Sequence, residues 1–230
     1  MIKLVISTLM VIFASSVMAQ PIVSIGNFKI GMTEEEFKEV PDIKSKKIQD
    51  FNNYGYKSTD SDVWRKTNES RNSTYSRIYL PELIEYSFKM ATGVKDYRGK
   101  DLYDATAKFY KNELISINLN ISISSSQFRE ILTEKYGKPF TENNMKKEIC
   151  QNGYGAKTEH NDGSLSWIWK ETGPIQASVS ITSFSCGKYS GAFYNIANSS
   201  INNIVSSLER EAEKNDKSEE MKKKASSSTL

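Results

Sequence analysis

Ile115-Ser116-Ile117-Asn118-Leu119-Asn120-Ile121-Ser122-Ile123 alternates apolar and polar residues without a break. A period of two marks a β-strand with one buried and one wet face, whereas a helix spaces its apolar residues three and four apart. The same period returns in Ile175, Ala177, Val179 and Ile181, interleaved with Gln176, Ser178, Ser180 and Thr182, and again in Leu165, Trp167 and Trp169. Residues 103–110 and 189–196 read as further strands. Lys111-Asn112-Glu113 and Glu171-Thr172-Gly173-Pro174 supply turns between neighbours. Strands covered on both faces read as continuous apolar runs, so this alternation predicts an antiparallel sheet. The expected class is α+β, with helices packed on one face and the Ser/Asn/Thr face turned to water.

Helix starts lie on either side of the first strands. Thr33 with Glu36, and Ser124 with Gln127, have the hydroxyl and the acid or amide three residues on that form a capping box. Each start continues with Phe37-Lys38-Glu39-Val40 or Phe128-Arg129-Glu130-Ile131, and each ends in a turn signal, Pro41-Asp42 or Gly137-Lys138-Pro139. The pair reads either as an internal duplication or as two unrelated amphipathic starts. The division expected is a first unit over 20–123, interrupted by a polar segment at 44–77, and a second over 124–208. The second ends in a helix with Ile201, Ile204, Val205, Leu208 and Ala212 at helical spacing. Residues 209–230 read as a charged, partly disordered tail. The 44–77 segment lacks periodicity, and a stretch of that length is expected to be a functional loop or a mobile insertion.

The first nineteen residues read as an address. Lys3 precedes the mostly apolar Leu4-Val-Ile-Ser-Thr-Leu-Met-Val-Ile-Phe13, and Val17 and Ala19 suit cleavage before Gln20. This is the anatomy of a secretory signal peptide. The apolar run is too short to cross a bilayer core of about 30 Å as a helix. The expected location is therefore the periplasm or the medium, with no transmembrane segment in the mature chain. In such a compartment Cys150 and Cys186 are expected to form a disulfide, restricting the unfolded chain by roughly 4 kcal/mol. The net charge of +3 gives no field of the kind that argues for nucleic acid.

Chemistry-bearing residues are sparse. His160 is the only histidine, set in Thr158-Glu159-His160-Asn161-Asp162-Gly163, which reads as a turn. No GxSxG elbow, CxxC pair or phosphate-cradling glycine motif occurs, and Ser185-Cys186-Gly187-Lys188 lacks the companions of an SxxK enzyme. The reading is no catalytic residue, no metal and no cofactor. An envelope hydrolase using His160, or carboxylates such as Asp60, Asp62, Asp96 and Asp101, is the alternative. Binding candidates are the aromatic and basic residues of the polar segment, Tyr54, Tyr56, Trp64 and Arg65, and the polar sheet positions Asn118, Asn120, Ser178 and Ser180.

Phe28-Lys29-Ile30-Gly31-Met32-Thr33, followed by Glu36, resembles the Gly-Met-Thr opening of small envelope proteins of the SmpA/OmlA outer-membrane-assembly type. Leu132, with Lys135-Tyr136-Gly137-Lys138-Pro139, is similar to a helix end found in that group and in the β-lactamase-inhibitor-protein-like fold. The resemblance spans about twenty residues. It implies tandem units with helices against one side of an antiparallel sheet and the other side free for a partner. The chain departs from the assembly lipoproteins in having no cysteine at the cleavage point, and it carries the long 44–77 segment. The expected function is an exported, non-catalytic binding, inhibitory or envelope-assembly module that contacts another envelope or secreted protein.

Overall fold

A computed structural model describes residues 22–51, 62–68, 78–95, 99, 101–121, 125–170 and 173–227. The stretch expected to be a leader, Ser124 of the second expected capping box and the candidates Tyr54 and Tyr56 lie outside the described residues. In chain order the elements are β1 (Ser24–Ile25), β2 (Phe28–Lys29), α1 (Glu34–Glu39), α2 (Pro41–Lys44), β3 (Lys47–Asp50), β4 (Asp62–Lys66), β5 (Leu83–Ala91), β6 (Leu102–Tyr110) and β7 (Glu113–Asn120). There follow α3 (Ser125–Tyr136), β8 (Phe140–Asn143), β9 (Lys146–Gln151), β10 (Lys157–Lys170), β11 (Ile175–Phe184), β12 (Tyr189–Asn198) and α4 (Ser199–Ser227).

Ten strands form one sheet in the order β3-β4-β5-β6-β7-β12-β11-β10-β8, with β9 beside the first half of β10. Every neighbouring pair is antiparallel except β3 and β4. Chain order runs inward from both edges to the central β7–β12 pair, so each helix-then-strands stretch ends in the middle of the sheet. The 44–77 segment differs from expectation. Its described residues hold β3 and β4, whose backbones are satisfied by pairing rather than by an apolar period.

Local signals act as physical chemistry requires. Thr33 Oγ1 accepts from the Glu36 amide at 3.2 Å, and Glu36 Oε2 accepts from the Thr33 amide at 2.7 Å, completing the capping box. Pro41, expected to turn the chain, instead opens α2, because a proline at the first helical position loses no intrahelical bond. The β6–β7 hairpin turns on Lys111 and Asn112, with φ of +52° and +66°, the two left-handed residues of a type I′ turn.

The main core lies on one face of the sheet. Phe37 of α1 packs 4.9 Å from Tyr86, 5.2 Å from Phe109 and 5.6 Å from Phe28, measured between ring centres. Phe128 of α3 makes the equivalent insertion, 5.4 Å from Tyr103 and 5.7 Å from Tyr194. Such tilted and edge-on ring pairs add to the burial of apolar area. Trp169 closes this layer, donating its indole N–H to Gly137 O at 2.8 Å, and the Arg129 guanidinium lies 4.9 Å over the Trp167 ring.

Helices on one face only is corrected by α4, which packs on the opposite face. Val205 is fully buried there against Ile78, Leu83 and Ile115, with Ile201 and Tyr110 beside them. Ile115 was expected to share the face of Ile117 and Leu119. A β-bulge reverses it. Lys108 pairs with Ser116 and Phe109 with Leu114, leaving Ile115 as the extra residue, turned toward α4. Asn198 Oδ1 accepts from the Ile201 amide at 3.2 Å and starts the helix. The helix then runs 29 residues, so the charged stretch that follows Leu208 continues it as far as Ser227. At 1.5 Å per residue its length is about 44 Å.

Candidate functional site

The register places one row of side chains across eight strands on the face that carries α4. Trp64 pairs with Ser87, Ser87 with Thr106, Thr106 with Asn118 and Asn118 with Asn195. The row continues from Asn195 to Ser178, from Ser178 to Ile168 and from Ile168 to Phe140. Strands about 4.8 Å apart make this row roughly 34 Å long. The residue two positions further along each strand lies on the same face, so Asn120, Phe193, Ser180, Ser166 and Glu142 form the adjoining row. Ser166 and Ser180 share a hydrogen bond of 2.9 Å between hydroxyls.

Five of the binding candidates therefore meet on one face: Trp64, Asn118, Asn120, Ser178 and Ser180. Arg65 does not. Its strand position turns it to the opposite face, where its guanidinium lies 3.9 Å from Glu34 and 3.4 Å from Asp50. Glu34 is buried, accepting from the Tyr86 hydroxyl at 2.5 Å and pairing with Lys38 at 2.7 Å. Burial pushes the Glu34 carboxyl up, but Lys38, the Tyr86 hydroxyl and Arg65 outweigh it and hold it below its ordinary range. Burial, then the neighbouring Glu34, pushes the Tyr86 hydroxyl up. This cluster ties α1 to β4 and β5.

Helix α4 covers part of the polar face. Between helix and sheet lies an open groove of about 340 Å³, lined by Glu85, Thr106, Lys108, Ser116, Asn118 and Asn195 from the strands and by Asn202 and Ser206 from the helix. Lys108 reaches Glu209 at 3.2 Å and Glu85 reaches Lys66 at 2.9 Å, so the charges at the groove are paired. Beyond it, Ser178, Ser180 and Ser166 are half-buried, while Phe140 is 60 %, Phe184 54 % and Tyr189 61 % exposed. Phe184 and Tyr189 are directly paired across β11 and β12.

The cysteines form the expected bridge, Cys150 to Cys186, with Cα atoms 5.8 Å apart. It fastens β9 to the turn joining β11 and β12. In that turn Ser185, Cys186 and Gly187 all have positive φ, of 55°, 62° and 72°. Asp162 holds the turn: its carboxylate accepts from the Cys186 amide at 2.5 Å, the Gly187 amide at 3.1 Å and the Ser183 hydroxyl at 2.9 Å. The Cys186 amide leads in keeping this carboxyl below its ordinary range, assisted by Ser183, the Gly187 amide and the charge of His160.

His160 was expected in a turn and instead lies within β10, opposite Glu148 of β9 and against Gly187. Pairing with β9 extends the strand through this polar sequence. Gly163 makes the extension possible, having φ of +130° and a position where a Cβ would fall 2.3 Å from Asn144 O. Asp60 and Asp96 lie outside the described residues. Asp62 is on β4, separated from His160 by six strand spacings of roughly 4.8 Å, and Asp101 precedes β6. Among the described residues no group of three or more His, Cys, Asp or Glu side chains is placed to hold a metal, and no helix is long and apolar enough to cross a membrane.

Sequence reasoning missed α4's role in the site. Asn202 and Ser206 lie one turn apart and point at the groove, whereas Ile204, part of the expected apolar stripe, is 58 % exposed. The signal was the polar pair itself, at positions where a helix docked only for stability would carry apolar side chains. No family model, curated protein or solved structure matches this chain.

Proposed function

We propose that the protein is an exported, non-catalytic binding module whose partner is another envelope or secreted protein. The observation that carries this reading is the polar row on the α4 face. Over β8, β10, β11 and β12 the same face carries serines beside the exposed Phe140, with the exposed Phe184 and Tyr189 paired further along β11 and β12. Aromatic side chains offer large contact area at low conformational cost, and small polar ones offer adaptable hydrogen bonds. The disulfide and the Asp162 contacts hold the aromatic end of this face in one conformation, which lowers the ordering cost of association. The disulfide supports this reading, as does the expected removal of a leader near Ala19–Gln20, since both suit an oxidising compartment.

The test is capture from an envelope extract with the mature chain and with Ser180→Arg and Phe184→Arg. Both substitutions put a long charged side chain on the face without touching the main core. Expected is a discrete partner recovered by the parent chain and lost at least tenfold by each variant. Equal recovery by all three proteins, or turnover of a substrate that depends on His160 or Asp62, would overturn the reading.

A further inference from the structure

We propose that the groove between α4 and the sheet is a binding site for a small neutral saccharide, an assignment independent of the protein-docking role of the neighbouring serine and aromatic face. Its wall is polar throughout, and most of its hydrogen-bonding capacity is unspent. The side chains of Asn118, Asn202, Thr106, Ser116 and Ser206 make no hydrogen bond to another described residue. Asn195 donates one N–H to Ile117 O at 3.3 Å, which leaves its amide oxygen available. Carboxamides carry two donors and an acceptor, and hydroxyls carry both functions. Such groups, half-buried from several directions, match a molecule that donates and accepts at each position. Vicinal hydroxyls of a sugar ring do so, and they replace water without leaving polar groups unpaired.

Charge narrows the class. The two ionic groups of the wall are already matched, Lys108 to Glu209 and Glu85 to Lys66. A phosphate or carboxylate ligand would have to break the first pair, and an amine the second. Size narrows it again, because about 340 Å³ lies at the low end of the roughly 300–1,000 Å³ typical of ligand sites. One or two sugar rings fit that space. The helix supports the assignment too. Asn202 and Ser206 face the sheet while Ile204 and Leu208 remain exposed. Docking that sought only stability would bury the latter pair.

The experiment follows the side-chain amide signals of Asn118, Asn195 and Asn202 by NMR in the full mature chain. Titrants are N-acetylglucosamine, chitobiose, maltose and trehalose, with inorganic phosphate and acetate as charged probes. At least one sugar should move these signals saturably, with a dissociation constant on the order of 1 mM or below. Asn202→Ala, on a helix that alanine favours, should weaken that binding by about tenfold, while Tyr154→Ala, at a fully exposed position between β9 and β10, leaves it unchanged. Should Asn118→Ala destabilise the sheet, Asn202→Ala and Ser206→Ala still decide the matter from the helix side. Four results would each overturn the assignment: no movement of the three amides with any sugar, movement unaltered by Asn202→Ala, saturation by phosphate or acetate instead, or an equal loss in Tyr154→Ala.

Discussion

The two ends of the sheet are held by different physics. Around α1, four aromatic rings (Phe28, Phe37, Tyr86 and Phe109) are fully buried, and a buried Glu34 is satisfied by Tyr86 and Lys38. At the other end, β9 and the first half of β10 form a two-stranded arm in which Cys150 is the sole buried residue among 146–161. A lone two-stranded ribbon cannot bury enough surface to be stable by itself. The arm is held instead by a covalent bridge and by one carboxylate that collects two amides and a hydroxyl. Apolar burial holds the body, and a cross-link with a polar clasp holds the arm.

That contrast can be broken most severely at Phe37. Phe37→Ala removes the ring shared by Tyr86, Phe88 and Phe109, and a loss of about 3–5 kcal/mol is expected. Urea unfolding followed by fluorescence should show one transition moved to lower denaturant. An unchanged midpoint would mean that α1 is not part of the cooperative core. Removing the bridge with Cys150→Ser and Cys186→Ser should weaken the chain by about 2–4 kcal/mol on the loop-entropy account, over a separation of 36 residues. Hydrogen exchange should localise the loss, with amides of 146–162 and 184–189 exposed and those of β5 to β7 still protected. Uniform loss of protection would erase the distinction between body and arm.

Smaller substitutions sharpen it. Glu34→Gln leaves the buried Tyr86 hydroxyl with a weaker acceptor and removes the charge facing Lys38 and Arg65, at an expected cost of about 1–3 kcal/mol. Because the folded carboxyl titrates below its ordinary value of 4.5, its contribution is complete above that pH. It is lost as pH falls through the lower folded value. Stability of the parent chain should therefore decline on acidification below about pH 4.5 more than that of the Gln variant. The smallest effect is expected from Asp162→Asn at the exposed clasp. Exchange of the Cys186 and Gly187 amides should quicken while global unfolding barely moves, and in the parent chain the same quickening should appear only in acid, since this carboxyl too titrates low. Global destabilisation by Asp162→Asn would show that arm and body unfold as one unit.

Residues that interact with near neighbours in the chain were legible from the sequence. The alternation around Ile117 and Val179, the reciprocal Thr33–Glu36 cap and the Lys111–Asn112 turn each depend on a few adjacent residues. The cysteine pair was legible too, because two thiols in a chain expected to be exported have few alternatives to pairing. The polar row was half legible: its strands showed that Asn118 and Ser178 face away from the core, but not that Trp64 joins them in one row across eight strands. Only the assembled sheet decides that, since register is set by long-range pairing between strands of independent pattern. Tertiary structure likewise decided that Ile115 leaves its apolar neighbours, because a bulge on β7 gives Val205 a partner. It made a strand of the polar segment around His160, because β9 lies beside it. It also set Asn202 and Ser206 over the sheet, because Val205 anchors α4 on that side. Local backbone chemistry is written in adjacent residues, whereas the company a side chain keeps is decided by segments far away in the chain.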